Sequence, residues 1–149
     1  MNRQIKFRGK RADSGEWVYG DLLQIAGGCC IYFGSKTETL TPDIPEESNV
    51  FVELMDSECA VVIPDTVGQF TGLLDSKGKE IYEKDIIEAY DCHYAPYIVE
   101  WDDGEYDIYS PITNDCESLC RVAQYSKVIG NTYDPPEILK RTSLCGRNK

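Results

Sequence analysis

Tyr97-Ile98-Val99-Glu100-Trp101-Asp102-Asp103-Gly104-Glu105-Tyr106-Asp107-Ile108-Tyr109 is the stretch that decides the fold. Two alternating runs flank an Asp-Gly pair, the strongest short-range signal for an antiparallel hairpin closed by a two-residue type I′ turn. Such a turn fixes the register. It places Asp102 opposite Glu105, Trp101 opposite Tyr106, Glu100 opposite Asp107 and Val99 opposite Ile108. Side chains alternate across a strand. One face therefore gathers Tyr97, Val99, Trp101, Tyr106 and Ile108 and is expected to join the core; the other gathers Glu100, Asp102, Glu105 and Asp107.

Working outward, short alternating runs between turn signals dominate and helical periodicity is weak. Upstream, Asp85–Tyr90 reads as a strand, and Gly68–Leu74 and Lys79–Tyr82 flank Asp75-Ser76-Lys77-Gly78, a type I turn signature. Nearer the N-terminus, Ile5–Arg8, Glu16–Leu23 and Cys29–Phe33 read as strands separated by Asp13-Ser14-Gly15 and Gly27-Gly28. Ser35–Asn49 reads as a polar loop, and Val50–Met55 and Ala60–Ile63 as short apolar runs of strand type. Downstream, a polar loop precedes Leu119–Tyr125, which fits a short helix or a strand, and Lys127–Asn131 reads as the last strand. Pro64-Asp65 is the expected boundary between an N-terminal β subdomain, 1–64, and a C-terminal one, 65–139. The basic tail, 140–149, is expected to be disordered.

A chain of 149 residues suits one compact domain or two closely packed subdomains, and it needs neither metal nor disulfide to fold. No apolar run approaches the ~18 residues of a membrane span, and no apolar segment follows the basic N-terminus as in a signal peptide. A cytoplasmic location is the expectation. The seven cysteines are then reduced thiols, their odd number closing no disulfide framework. Formal net charge is −11, and it is unevenly placed. Residues 1–11 hold Arg3, Lys6, Arg8, Lys10 and Arg11 with no acid, and 140–149 hold Lys140, Arg141, Arg147 and Lys149 with no acid. The body between them repels phosphate backbones and attracts basic surfaces.

The central run Asp65-Thr66-Val67-Gly68-Gln69-Phe70-Thr71-Gly72-Leu73-Leu74-Asp75-Ser76-Lys77-Gly78-Lys79-Glu80-Ile81-Tyr82-Glu83-Lys84-Asp85-Ile86-Ile87 resembles the hallmark of the YopX family of small bacteriophage and prophage proteins. Ile5-Lys6-Phe7-Arg8-Gly9-Lys10 with Gly15-Glu16-Trp17-Val18-Tyr19-Gly20-Asp21 is similar to that family's opening, and Val128-Ile129-Gly130-Asn131-Thr132-Tyr133-Asp134 to its closing strand. The chain departs at Lys84, where the family usually has Gly. The resemblance implies a mainly β, pseudobarrel fold with an SH3-like C-terminal part and few short helices. It also implies homo-oligomers, a bacterial or phage setting and no catalytic residues to transfer.

The residues themselves supply little enzymology. Gly72 to Gly78-Lys79 has five residues between its glycines and Glu80 after the lysine, so it reads as a hairpin and not as a phosphate loop. His93 is the only histidine, and the adjacent Cys92 points to the opposite face in an extended segment, which leaves nucleophilic catalysis poorly provisioned. Cys116 and Cys120 have zinc-like spacing, but no second pair follows. No cofactor is expected.

Four carboxylates on one hairpin face invite solvent, a basic protein partner, or a divalent cation serving phosphoester hydrolysis. Lys6, Arg8 and Lys10 share one face of an extended strand; they suit nucleic-acid phosphates, or carboxylates of the same chain or a neighbouring copy. The leading expectation is a non-enzymatic phage accessory protein working through protein–protein contacts, as a homo-oligomer or with a host or phage protein. Nucleic-acid binding or DNA mimicry by the acidic body is the next alternative. No membrane partner is expected.

Overall fold

The computed structural model describes residues 3–34, 58–89 and 95–136. Ser35–Asn49, Val50–Met55, Tyr90, Cys92, His93 and the basic tail lie outside the described residues. The protein is mainly β, built as two antiparallel sheets that do not close into a barrel. The chain divides into two compact units, one running from Ile5 to Gln69 and the other from Phe70 onward together with Arg3 and Gln4.

In the first unit, β1 (Phe7–Lys10), β2 (Trp17–Ile25), β3 (Gly28–Tyr32) and β4 (Cys59–Val62) form an antiparallel meander. Positive φ at Gly15 and Gly27 closes the first two connections, as the glycine signals in the sequence require. A bridge between Arg11 and Val62 ties β4 back to the end of β1. Among the described residues, Ile31, Val62 and Ala60 are its most buried apolar side chains. A 3-10 turn at Pro64–Thr66 follows, where the Thr66 hydroxyl donates to the Ile63 carbonyl at 2.6 Å and accepts from the Lys10 amide at 2.8 Å. The Pro64-Asp65 punctuation is thus a pinned turn.

β5 (Gly68–Leu74) begins against β1 and ends against β6 (Glu80–Tyr82), with an irregularity between Phe70 and Leu74. Gly72, at φ +84°, lies within that irregularity. The expected type I turn closes the hairpin, with the Gly78 amide on the Asp75 carbonyl at 3.0 Å. The second sheet has the order β10-β9-β8-β7-β11. Its strands are β7 (Asp85–Ala89), β8 (Pro96–Asp102), β9 (Glu105–Tyr109), β10 (Cys116–Ser118) and β11 (Ser126–Asn131).

Leu119–Tyr125, ambiguous in sequence, is a short helix α1 (Leu119–Val122) running into a 3-10 turn. Its Leu119, Val122 and Ala123 cover one face of the sheet, packed with Ile87, Tyr97, Val99, Ile108 and Val128. That contact decides the conformation: a strand would expose alternate side chains, whereas a helical turn buries all three apolar groups on one side. β10 falls within what the sequence presents as a polar loop, because three residues with no apolar alternation give no strand signal.

Candidate functional site

The β8–β9 hairpin forms as its Asp-Gly pair dictates. Asp103 and Gly104 have φ of +46° and +91°, the double positive φ of a type I′ turn. The register is the expected one, Asp102↔Glu105 through Val99↔Ile108. Tyr97, Val99 and Ile108 are fully buried and Tyr106 is packed against the core from its edge.

Trp101 corrects the sequence expectation. It lies on the apolar face but is 52% exposed, because the hairpin tip extends past the last core residue. Its ring meets Tyr106 edge-on, centroids 4.8 Å apart. Pairing alternation assigns a side of the sheet; only the extent of the neighbouring layer decides whether that side is covered.

The opposite face brings Glu100, Asp102, Glu105 and Asp107 together as cross-strand pairs. Asp103 at the turn and Glu117 on β10 add charge that the four-residue pattern missed, and burial followed by the charges of Glu105, Asp102, Asp103 and Glu117 pushes the Asp107 carboxyl upward. Counter-charge is sparse among the described residues. Lys84 Nζ is 3.2 Å from Glu100, Arg121 is 3.4 Å from Glu117, and the Ser118 hydroxyl donates to Glu105 at 3.0 Å.

Cys116 and Cys120 are exposed. Burial and the charges of Asp107, Asp102, Glu117 and Glu100 push the Cys116 thiol up, which disfavours the thiolate that zinc requires. Among the described residues, no three His, Cys, Asp or Glu side chains are grouped so as to hold a metal ion.

The basic strand is organised by aromatic rings. Arg8 pairs with Tyr19 and Lys10 with Trp17 across β1 and β2, so these four share a face. The Arg8 guanidinium lies 4.7 Å and Lys10 Nζ 5.5 Å from the Trp17 ring centre, and Lys6 Nζ 5.9 Å from that of Tyr19. Arg8 is only 6% exposed. The ring contacts were not legible in sequence beyond the alternation itself, since they depend on the register of two strands.

A shallow groove of about 690 Å³ follows β5 and β6, lined by Arg3, Phe70, Thr71, Leu74 and Glu80 among others. The Thr71 hydroxyl is committed to the Ile81 carbonyl at 2.8 Å, and among the described residues no histidine or cysteine lines the groove.

The family model for the YopX protein matches residues 6–140. The chain belongs to the YopX family. No curated protein matches it. Lys84, the residue that departs from the usual YopX glycine, has φ +68°, a backbone region that glycine enters freely and lysine does not. This YopX protein holds it there with two main-chain bonds, the Lys84 amide to the Val99 carbonyl at 2.8 Å and the Thr132 amide to the Lys84 carbonyl at 3.0 Å. Among the described residues, no helix is long and apolar enough to cross a membrane.

Proposed function

We propose that this YopX protein is a non-catalytic accessory protein of a phage or prophage, and that it works by presenting the β8–β9 hairpin to a basic protein surface. The observation that supports this reading best is Trp101, half exposed and steadied by Tyr106 near the hairpin tip, on the face opposite an under-neutralised acidic one. Exposed tryptophans anchor interfaces because they offer large contact area at little cost in side-chain freedom. Burial and then the neighbouring carboxylates push Asp107 upward; a cationic partner relieves the second of these, and such charge complementarity favours rapid, salt-sensitive association. The nucleic-acid alternative draws less support, since Arg8 is buried against Trp17 where a phosphate would need it accessible.

The test is retention of host-lysate proteins on immobilised protein, compared with Trp101→Ala and with Asp102→Asn/Asp107→Asn. A basic partner held by the wild type, released by moderate salt and lost on both variants supports the reading. Equal retention on all three overturns it.

A further inference from the structure

β11 is the outer strand of its sheet, and an outer strand of six residues offers its unpaired backbone groups to any incoming strand. Here two of those groups are occupied. The Ser126 carbonyl accepts the Ser76 amide at 2.8 Å, and the Val128 amide donates to the Asp75 carboxylate at 3.0 Å. Ser126 and Val128 are two residues apart, so their backbone groups point to one side of the strand; Lys127 between them points its own toward β7. The β5–β6 turn therefore sits where a sixth strand would add.

We propose that the Asp75–Gly78 turn is an edge guard, which keeps a second copy of this chain from pairing with β11. The occupant follows from the geometry of the two guarded groups. A two-fold axis through Lys127 would set Ser126 opposite Val128 of the second copy, so the carbonyl and amide taken by the turn are mutually complementary in an antiparallel, isologous pair. Lys127 is exposed and would face its own copy, a like-charge contact of the kind that edge strands use against association. The other outer strand, β10, has three residues and is short enough to need no guard.

Two variants open the edge with minimal damage to the turn. Asp75→Asn keeps an oxygen for the Lys77 and Lys79 amides but turns an NH2 toward the Val128 amide. Ser76→Pro puts proline at the second position of a type I turn, where it is favoured, and removes the donor to Ser126. Sedimentation velocity across a concentration series should show each variant forming a dimer of whatever assembly the wild type forms. Adding Lys127→Thr should tighten that association about two- to fivefold. Hydrogen exchange should show Val128 losing protection at low concentration and regaining it as the variants associate.

Wild-type sedimentation of a folded Asp75→Asn or Ser76→Pro protein at every concentration overturns the proposal. So does association that leaves Val128 exchange unchanged. If Asp75→Asn fails to fold, Ser76→Pro, which retains the buried carboxylate, gives the same reading alone.

Discussion

The Asp75 carboxylate accepts the backbone amide of Val128, 53 residues further along the chain, at 3.0 Å, while its other oxygen holds the amides of Lys77 and Lys79 at 2.8 and 2.9 Å. One side chain thus shapes a turn and fastens it to β11. Burial alone would raise this carboxyl; the Val128, Lys79 and Lys77 amides and the Lys79 charge outweigh burial and hold it below the ordinary value.

Replacing Asp75 with Ala should therefore cost about 3 kcal/mol, because it strands backbone donors away from water. Asp75 has a lowered pKa in the folded state, so its stabilisation is complete above the unfolded value near ~4 and is lost as pH falls through the folded value. Urea unfolding at neutral pH and at pH about 3 checks both statements. An Asp75→Ala protein as stable as the wild type at neutral pH would remove the fastening role.

Trp101 and Val99 lie on one face of β8 but differ in what covers them. Trp101→Ala should cost about 1 kcal/mol, mostly its edge-on contact with Tyr106. Ile108→Ala, at a fully buried position, should cost about 2–5 kcal/mol. Urea midpoints of the two variants measure where the core ends along the hairpin.

Asp107→Asn should raise stability modestly at neutral pH and low salt, with the gain fading as salt screens the face. The sign follows from the raised folded-state pKa: ionised Asp107 weakens the native state above that value, and the penalty is relieved as pH falls from it toward the unfolded value. Thermal melts at two ionic strengths check this; a destabilised Asp107→Asn protein contradicts it.

Lys84 has φ +68° and an exposed ion pair with Glu100. Lys84→Gly should gain about 1 kcal/mol from the backbone and lose less than about 1 kcal/mol from the pair, leaving the protein equally or slightly more stable. Lys84→Val, β-branched at the same φ, should destabilise it. Melting temperatures of both variants decide whether backbone or charge governs this position.

Where one local rule governed, the sequence was enough. Asp103-Gly104 specified its turn, the turn specified the pairing from Asp102↔Glu105 to Val99↔Ile108, and alternation then placed four carboxylates on one side. The glycines at 15, 27 and 78 marked their turns for the same reason, since glycine enters positive φ without the steric cost that other residues meet. Membership of the YopX family was legible for a related cause: the central motif is a run of consecutive residues.

Only the tertiary structure decided what depends on a neighbouring layer or a distant partner. Trp101 stands in solvent because none of the described residues packs beyond Tyr106, Leu119–Tyr125 coils because three apolar groups must face one sheet, and Asp75 is buried because β11 brings it the Val128 amide. Burial and long-range hydrogen bonds are collective, set by elements far apart in the chain, and no window of sequence around a residue contains them.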